Sequence, residues 1–249
     1  MRKRPTIFLD FDDTLSDPTP FFSQFAREIG GYLSLRFGGE PSAWAKATAD
    51  MLVAVEDDYK RRFVGNPTNG YLEWLRALRF RSLHLVFEAM AMPVPPDAER
   101  FSLQVQFEAL SQCNAAFFGA EQALAALKAQ GCALHMASGQ ESEYLRGGLT
   151  GMGLVQYVDR LFGPDLVDCA KEGPEYYARV FAATGVRGEG AIVVDDYPPA
   201  IRWALTQGAK VIQAKLSPIR HEATVPGVAV VMTDLRTLPY LVEGLTNAI

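Results

Sequence analysis

Residues 6–14 read TIFLDFDDT, a β-branched residue and three apolar residues followed by a run rich in carboxylates. A short segment that is apolar on both faces is typical of a buried strand in a parallel sheet. Comparable segments stand at residues 133–137, 191–194, 210–213 and 228–232. Helix-like stretches, several of which end at a glycine, separate these segments. This alternation predicts an α/β fold with a doubly wound parallel sheet.

The interval between the first two predicted strands, residues 10–132, is far too long for an ordinary crossover. Aromatic and aliphatic side chains recur at helical spacing in four parts of it, residues 21–37, 43–63, 70–92 and 97–110. We therefore predict an inserted α-helical cap domain over residues 17–115 and a core domain formed by residues 1–16 and 116–249. The alternative is a set of extra helices packed onto a single domain.

The composition is that of an ordinary globular protein, with 49% hydrophobic and 21% charged residues among 249. A formal charge of −5 argues against a role in holding nucleic acid, which needs a basic face. No apolar run approaches the roughly 20 residues of a membrane span, and the one after residues 2–4 is too short for a signal peptide. Three widely spaced cysteines, Cys113, Cys132 and Cys169, are expected to be reduced thiols. We expect a cytoplasmic protein without a nucleic-acid or membrane partner; the sequence carries no signal for an oligomeric state.

Polar groups stand at or near the carboxyl ends of the predicted strands, where open α/β sheets bind their ligands. They are carboxylates, a hydroxyl, a glycine amide and one ammonium, from Asp10, Asp12, Ser138, Gly139, Lys171, Asp195 and Asp196. Carboxylates that converge repel one another unless a cation lies among them. A set of oxygen ligands without histidine or cysteine favours Mg²⁺. The sequence therefore predicts a magnesium site at this edge of the sheet.

The same groups predict phosphoryl transfer. A carboxylate can attack phosphorus to form an aspartyl phosphate, and Asp10 is placed to be this nucleophile and also a metal ligand. Asp12 can protonate the leaving oxygen and then deprotonate the water that cleaves the intermediate. Lys171 and the Ser138 hydroxyl would neutralise and orient the transferred group.

Four segments together resemble the motifs of the haloacid dehalogenase superfamily, in the family's order. Residues 7–15, IFLDFDDTL, are similar to its first motif, a hydrophobic strand followed by DxDxT. Ser138 resembles the second motif, and residues 171–177, KEGPEYY, resemble the third in its KPxPExF form, with Glu172 in place of a proline. Residues 195–196 resemble the acidic fourth motif. The resemblance implies a Rossmann-like core and, from the helical insertion, the C1-type cap of subfamily I.

The resemblance also implies how the acids divide their work. Asp10 corresponds to the nucleophile and Asp12 to the general acid/base. The metal would be held by the Asp10 carboxylate, the Asp12 main-chain carbonyl and an acid of the fourth motif. Asp196 is the first choice for that acid, with Asp195 supporting or sharing the role. One of the pair could instead cap the helix that begins near Pro198.

The predicted function is a Mg²⁺-dependent phosphatase that hydrolyses a small phosphorylated metabolite. We assign phosphate binding to Ser138, Gly139 and Lys171, and count Lys171 among the catalytic residues with Asp10 and Asp12. Asp12 favours phosphate esters over carbon–halogen bonds, because a departing halide needs no proton and dehalogenases lack a matching acid. A phosphomutase of the same family, in which the cap keeps water from the intermediate, is one alternative. A non-catalytic binding or regulatory module on the same core is another.

The cap carries charged residues that are candidates for substrate recognition. They are Arg61, Arg62, Arg76 and Arg79. These arginines would either reach a second anionic group of the substrate or form the solvated face of cap helices.

Overall fold

A central parallel sheet organises the protein in a computed structural model that describes residues 5–217 and 223–247. Its six strands lie in the order β3-β2-β1-β4-β5-β6, and every neighbouring pair is parallel. The strands are β1 (Thr6–Leu9), β2 (Ala133–Ala137), β3 (Arg160–Phe162), β4 (Ala191–Asp195), β5 (Lys210–Ala214) and β6 (Val230–Met232). This arrangement confirms the predicted α/β, Rossmann-like fold.

Helices cover both faces of the sheet and fill the long interval after the first strand. Between β1 and β2 lie α1 (Pro18–Phe37), α2 (Pro41–Phe63), α3 (Tyr71–Ala89) and α4 (Ala98–Leu110). The remaining helices are α5 (Ala120–Ala129), α6 (Ser142–Gly151), α7 (Pro164–Val167), α8 (Pro174–Thr184), α9 (Pro198–Thr206) and α10 (Leu238–Asn247). Among the described residues, no helix has the length and apolar character needed to cross a bilayer. The three cysteines are buried and free, as expected.

Strand β1 lies in the middle of the sheet because its side chains are apolar on both faces. Ile7 and Leu9 belong to one buried cluster, while Phe8 packs on the opposite face with the ring of Phe181 at 5.1 Å between centroids. Successive strand residues point to opposite faces, so a strand covered on both sides must be apolar throughout. The residue after Leu9 therefore emerges at the carboxyl edge of the sheet.

The two chain segments that connect the helical insertion to the sheet run side by side. The backbone N–H of Asp17 donates to the carbonyl of Ala115 at 2.8 Å, and that of Phe117 donates to the carbonyl of Leu15 at 2.9 Å. The four-helix insertion thus leaves and rejoins the core at one place, next to the first motif. Its division from the core at residues 17 and 115 stays a prediction.

Helix α6 and the edge strand β3 have no counterpart among the predicted elements. Strand β3 has three residues and an exposed Arg160, which is too short for a recognisable pattern. Helix α6 contains several glycines, which disfavour helices, but the packing requires two of them. A Cβ atom would lie 2.6 Å from the Phe11 ring at Gly148 and 2.3 Å from a carbonyl oxygen at Gly151. Gly148 thus lets α6 pass directly against the segment that follows β1, and Gly151 lets it approach the backbone at the end of α4.

Candidate active site

Three carboxylates meet at the carboxyl edge of the sheet. Asp10 directly follows β1, and its backbone N–H donates to the carbonyl of Val194 on β4 at 2.9 Å. Asp195 is the last residue of β4, and Asp196 follows it. One carboxylate oxygen from each of these acids lies within 4.8 Å of those of the other two. The structure thus brings together three of the residues predicted from the sequence for a metal site.

Lys171 joins two of these acids from the segment just before α8. Its Nζ lies 3.0 Å from Oδ1 of Asp10 and 2.8 Å from Oδ2 of Asp195, and it donates to the carbonyl of Ala137 at 3.2 Å. The side chain is buried. Burial lowers the pKa of Lys171, but the charges of Asp10 and Asp195 outweigh burial and raise it overall. The lysine is therefore a fixed positive charge at the site.

The Asp195 carboxylate is enclosed by protein groups on both oxygens. Besides Lys171, Oδ2 accepts from the hydroxyl of Tyr177 on α8 at 2.7 Å, and Oδ1 accepts from the backbone N–H of Tyr197 at 2.9 Å. Asp195 is fully buried, whereas Asp196 is only partly so. Asp195 therefore holds together the base of the site and the turn before α9. The residue that precedes the first turn of α9 is Tyr197, and no side chain caps this helix, so the alternative role of the acid pair as a helix cap is not found.

Asp196 faces the segment after β1. Its Oδ1 accepts a long hydrogen bond from the hydroxyl of Thr14 at 3.4 Å. Burial, followed by the charges of Asp10 and Asp195, raises the pKa of Asp196 to about 9. Burial also raises the pKa of Asp10 to about 7, although the Lys171 ammonium opposes this shift.

These pKa shifts test whether the residues suit a cation. Burial and the neighbouring negative charges both disfavour the ionisation of Asp10 and Asp196 in the protein alone. A hard divalent cation among their oxygens would relieve that repulsion, and a donor set made only of oxygen suits Mg²⁺. The residues present therefore fit the predicted metal.

The other predicted residues lie at the end of β2 and in the turn after β1. Ser138 directly follows β2 and is buried, whereas Gly139 is exposed. Asp12 is partly buried, and its Oδ2 accepts from the side-chain amide of Gln140 at 2.8 Å. The backbone N–H of Gln140 also donates to Oγ of Ser138 at 3.3 Å. Sequence reasoning missed Gln140, whose only signal is its position two residues after Ser138.

An aromatic cluster of the cap packs beside the site. Phe63 on α2 and Tyr71 and Trp74 on α3 are buried together against Ala170, the residue before Lys171. The backbone N–H of Ala170 donates to the carbonyl of Pro67 at 2.8 Å. The segment that carries the lysine is therefore held by the cap as well as by the core.

Two polar contacts connect the cap with core loops around the site. Arg79 on α3 places Nη2 2.9 Å from Oε2 of Glu141, with about a fifth of each side chain exposed. The hydroxyl of Tyr59 on α2 hydrogen-bonds to Glu172. Burial raises the pKa of Glu172, and the hydrogen bond from Tyr59 opposes that shift. The residue that departs from the third motif is therefore a cap contact.

The other three arginines singled out in the cap are exposed or form contacts of their own. Arg61 is 3.2 Å from a carboxylate oxygen of Asp58, and Arg62 donates to the carbonyl of Asn69 at 3.3 Å. Arg76 is exposed. A role for these arginines in binding a second anionic group stays a prediction.

The motifs and the fold agree with a comparison against known families. The model of the haloacid dehalogenase-like hydrolases matches residues 5–201. The chain therefore belongs to this family of hydrolases. No curated protein sequence matches the chain.

Solved structures of two kinds of enzyme share the fold. A defluorinating L-2-haloacid dehalogenase superposes with a TM-score of 0.69 at 16% identity, covering 97% of this chain and 96% of its own. The L-2-haloacid dehalogenase of Xanthobacter autotrophicus gives 0.61 at 15% identity, with coverages of 97% and 99%. A phosphatase of the same superfamily from Thermococcus onnurineus gives 0.62 at 15% identity, with coverages of 96% and 98%. At these identities the likeness shows the fold alone.

Proposed function

We propose that this hydrolase is a Mg²⁺-dependent phosphatase that acts on a small phosphorylated metabolite through an aspartyl phosphate on Asp10. The observation that carries the proposal is the second acid, Asp12, which stands two residues after the nucleophile and is hydrogen-bonded by Gln140 at 2.8 Å. An alkoxide is a poor leaving group unless it is protonated, whereas a halide leaves without a proton. An oriented acid beside the nucleophile therefore serves the hydrolysis of esters.

The reaction proceeds in two displacements at phosphorus. A carboxylate oxygen of Asp10 attacks phosphorus, the bond from phosphorus to the ester oxygen breaks, and that oxygen takes the proton of Asp12. In the second step Asp12, now a carboxylate, takes a proton from water as the water oxygen attacks phosphorus. The bond from phosphorus to Asp10 then breaks, which releases phosphate and restores both acids.

Charge at the site serves mainly to hold the phosphoryl group. Its oxygens are neutralised and oriented by Lys171, the hydroxyl of Ser138 and the backbone N–H of Gly139. Positioning and charge stabilisation of this kind lower the barrier to phosphoryl transfer most. Lys171 is also 3.0 Å from Asp10, so its charge favours the ionised form of the nucleophile and helps to align it.

Metal binding is assigned to Asp10, Asp12 and Asp196. The carboxylates of Asp10 and Asp196 and the main-chain carbonyl of Asp12 would hold Mg²⁺, and Asp195 supports the site through Lys171 and Tyr177. When bound, the ion supplies positive charge to the phosphate oxygens.

A second candidate function is the hydrolysis of 2-haloacids, because several solved structures that share the fold are dehalogenases. In that reaction Asp10 would attack carbon and displace halide. The halide leaves without a proton, so Asp12 would not be needed as an acid. The two candidates therefore differ in their dependence on Asp12 and on Mg²⁺.

The test measures phosphate release from p-nitrophenyl phosphate and chloride release from 2-chloropropionate, each with Mg²⁺ or with EDTA. The expected result is phosphate release that requires Mg²⁺, is abolished in Asp10→Asn and is unchanged in Asp57→Asn, a control at an exposed carboxylate of the cap. Chloride release without phosphate release would overturn the proposal in favour of the dehalogenase. Undiminished phosphate release by Asp10→Asn would exclude the aspartyl phosphate, and isomerisation of a sugar phosphate would identify a mutase.

A further inference from the structure

Gln140 lies between the phosphate-binding serine and the proposed acid/base. Its side-chain Nε2 donates to Oδ2 of Asp12 at 2.8 Å, and its backbone N–H donates to Oγ of Ser138 at 3.3 Å. One residue thus contacts both the group that would orient the phosphate and the group that would protonate the ester oxygen. Nothing in the four family-like motifs assigns it a role.

The backbone around Gln140 is held closely in place. A Cβ atom on Gly163 would lie only 2.4 Å from the carbonyl oxygen of Gln140, so the loop after β3 packs directly against this residue. Ser142 donates to Asp165 twice, through its backbone N–H at 2.8 Å and its hydroxyl at 2.5 Å. A side chain that starts from a backbone fixed at both ends can hold its target more accurately than one on a loose loop.

The residue after Gln140 is bound by the cap. Glu141 forms the ion pair with Arg79, with 2.9 Å between the charged atoms. Burial raises the pKa of Glu141, whereas the charge of Arg79 opposes that shift. This contact is polar and charge-assisted, so it favours one docked position of α3 on the segment that carries Gln140.

We propose, on the basis of the phosphatase function above, that Gln140 is the positioning residue for Asp12 and that the Arg79–Glu141 ion pair couples cap docking to it. The carboxyl of Asp12 can rotate about its side-chain bonds, and a hydrogen bond to Oδ2 fixes the direction in which its other oxygen points. General acid catalysis depends on that direction, because the proton must reach the ester oxygen as the bond breaks.

The position of Gln140 also links the orientation of Asp12 to the docking of the cap. The cap contacts this segment through Arg79, so the acid is held in its active orientation when α3 is docked. Gln140 acts through Asp12 rather than on the substrate. Its loss should therefore impair only those steps in which a proton moves.

Leaving-group dependence separates this role from a general structural one. Phenyl, p-nitrophenyl and 2,4-dinitrophenyl phosphate share one phosphoryl group but release progressively more acidic phenols, which need progressively less protonation. In Gln140→Leu we expect kcat/KM for phenyl phosphate to fall by about 10- to 100-fold, and for the dinitrophenyl ester by less than about threefold. The ratio of kcat/KM for phenyl phosphate to kcat/KM for the dinitrophenyl ester should therefore fall in Gln140→Leu. In Glu141→Gln the same ratio should fall by a smaller factor.

Two further variants complete the experiment. Asp12→Asn serves as the benchmark, because it should show the steepest dependence on the leaving group. Gln156→Leu removes an exposed amide that donates to the nearby carbonyl of Gly153, and it should leave the ratio unchanged. Circular dichroism and thermal melting verify that each variant is folded.

The outcomes distinguish this inference from the function on which it rests. Equal losses for all three esters in Gln140→Leu would overturn the positioning role, because a damaged phosphate site affects every ester alike. A wild-type ratio in Glu141→Gln would overturn the coupling to the cap. Absence of Mg²⁺-dependent turnover in the wild-type protein would instead refute the phosphatase function itself.

Discussion

Two neighbouring regions of the sheet edge supply the candidate site in different ways: the charged end, formed by β1 and β4, and the neutral end, formed by β2. At the ends of β1 and β4, Asp10 and Asp195 share the buried ammonium of Lys171 at 3.0 and 2.8 Å. At the end of β2, Ser138 and Gln140 are uncharged and act through hydrogen bonds of 3.3 and 2.8 Å. The first end holds charge within the core. The second is neutral and lies next to a contact with the cap.

The difference indicates a division of work. At the charged end the Asp195 carboxylate is fixed by groups of the core, the Tyr177 hydroxyl and the Tyr197 backbone N–H, although the segment just before Lys171 also contacts the cap. The neutral end adjoins Glu141, whose partner Arg79 belongs to α3. We infer that the core prepares the nucleophile, whereas the cap influences the proton donor.

The largest effect on stability is expected when the ammonium of Lys171 is removed from the charged end. Lys171→Met would leave two buried carboxylates without their counter-ion, so the free energy of unfolding at pH 8 should fall by about 3–5 kcal/mol. Urea denaturation measures the change. The loss should be smaller at pH 5, because protonation of the carboxylates relieves their repulsion.

Lys128→Met is the matched control for that variant. Lys128 also contacts a carboxylate, Asp159 at 2.6 Å, but both side chains are about one-third or more exposed. Solvent screens such a pair, so the expected loss is about 0–1 kcal/mol. Equal losses in the two variants would contradict the expectation that the buried ion pairs of Lys171 contribute more to stability than the exposed pair of Lys128.

Magnesium should stabilise the charged end in a pH-dependent way. The pKa values of about 7 for Asp10 and about 9 for Asp196 lie above the ordinary value of 3.8. The folded protein therefore binds protons that the unfolded chain has released. The stability that these groups contribute is complete below about pH 4 and is lost as the pH rises through 7 and 9.

Added Mg²⁺ replaces the protons, so it should raise the melting temperature more at pH 8 than at pH 6. At a concentration one hundred times its dissociation constant, binding contributes about 2.7 kcal/mol. Differential scanning calorimetry with Mg²⁺ and with EDTA measures both effects. Asp196→Asn should have a flatter pH dependence in EDTA and a weaker response to Mg²⁺. A metal effect of the same size at both pH values would contradict this account of the acidic cluster.

A smaller loss is expected when one hydrogen bond is removed from the charged end. Tyr177→Phe deletes the hydroxyl that donates to Asp195 at 2.7 Å in a fully buried position. Hydrogen bonds to charged groups are worth about 1.5–3 kcal/mol, so a loss of about 2 kcal/mol is expected in urea denaturation. Tyr157→Phe deletes an exposed hydroxyl 3.1 Å from Glu121 and should change stability by less than about 0.5 kcal/mol. Similar losses in both variants would show that burial does not strengthen the Asp195 contact.

The meeting of groups at the charged end is predictable from the sequence. Asp10 and the pair Asp195–Asp196 each follow an apolar run, and parallel strands align their carboxyl ends at one edge of the sheet. The different surroundings of the two adjacent acids are not predictable in this way. They depend on how α8 packs, because that packing brings the Tyr177 hydroxyl to Asp195.

The neutral end is harder to predict for the same reason. Gln140 is 128 residues from Asp12 along the chain, and Glu141 is 62 residues from Arg79. Gln140 and Glu141 both lie in a loop without hydrophobic periodicity. The sequence of that loop therefore does not indicate which residues they contact. The contact of Gln140 with Asp12 depends on how two core loops pack, and that of Glu141 with Arg79 depends on how the cap docks; neither the strand pattern nor the helix pattern encodes these arrangements.

The smallest expected effect would sharpen the comparison by loosening only the neutral end. Glu141→Gln removes one charge from the ion pair with Arg79 and should lower stability by about 1 kcal/mol or less. The change should be local. The Leu72 backbone N–H at the start of α3, which donates to Asp168 at 3.1 Å, should exchange with solvent up to about fivefold faster.

Hydrogen exchange in β4 should not change in that variant, because the charged end has its own contacts within the core. Glu56→Gln is the matched control, since Glu56 pairs with Lys60 on the exposed face of a single cap helix and should leave Leu72 unaffected. Faster exchange at Leu72 and in β4 alike would mean that the two strand ends open together. The cap would then stabilise the nucleophile as much as the proton donor, and the division of work between the two ends would be wrong.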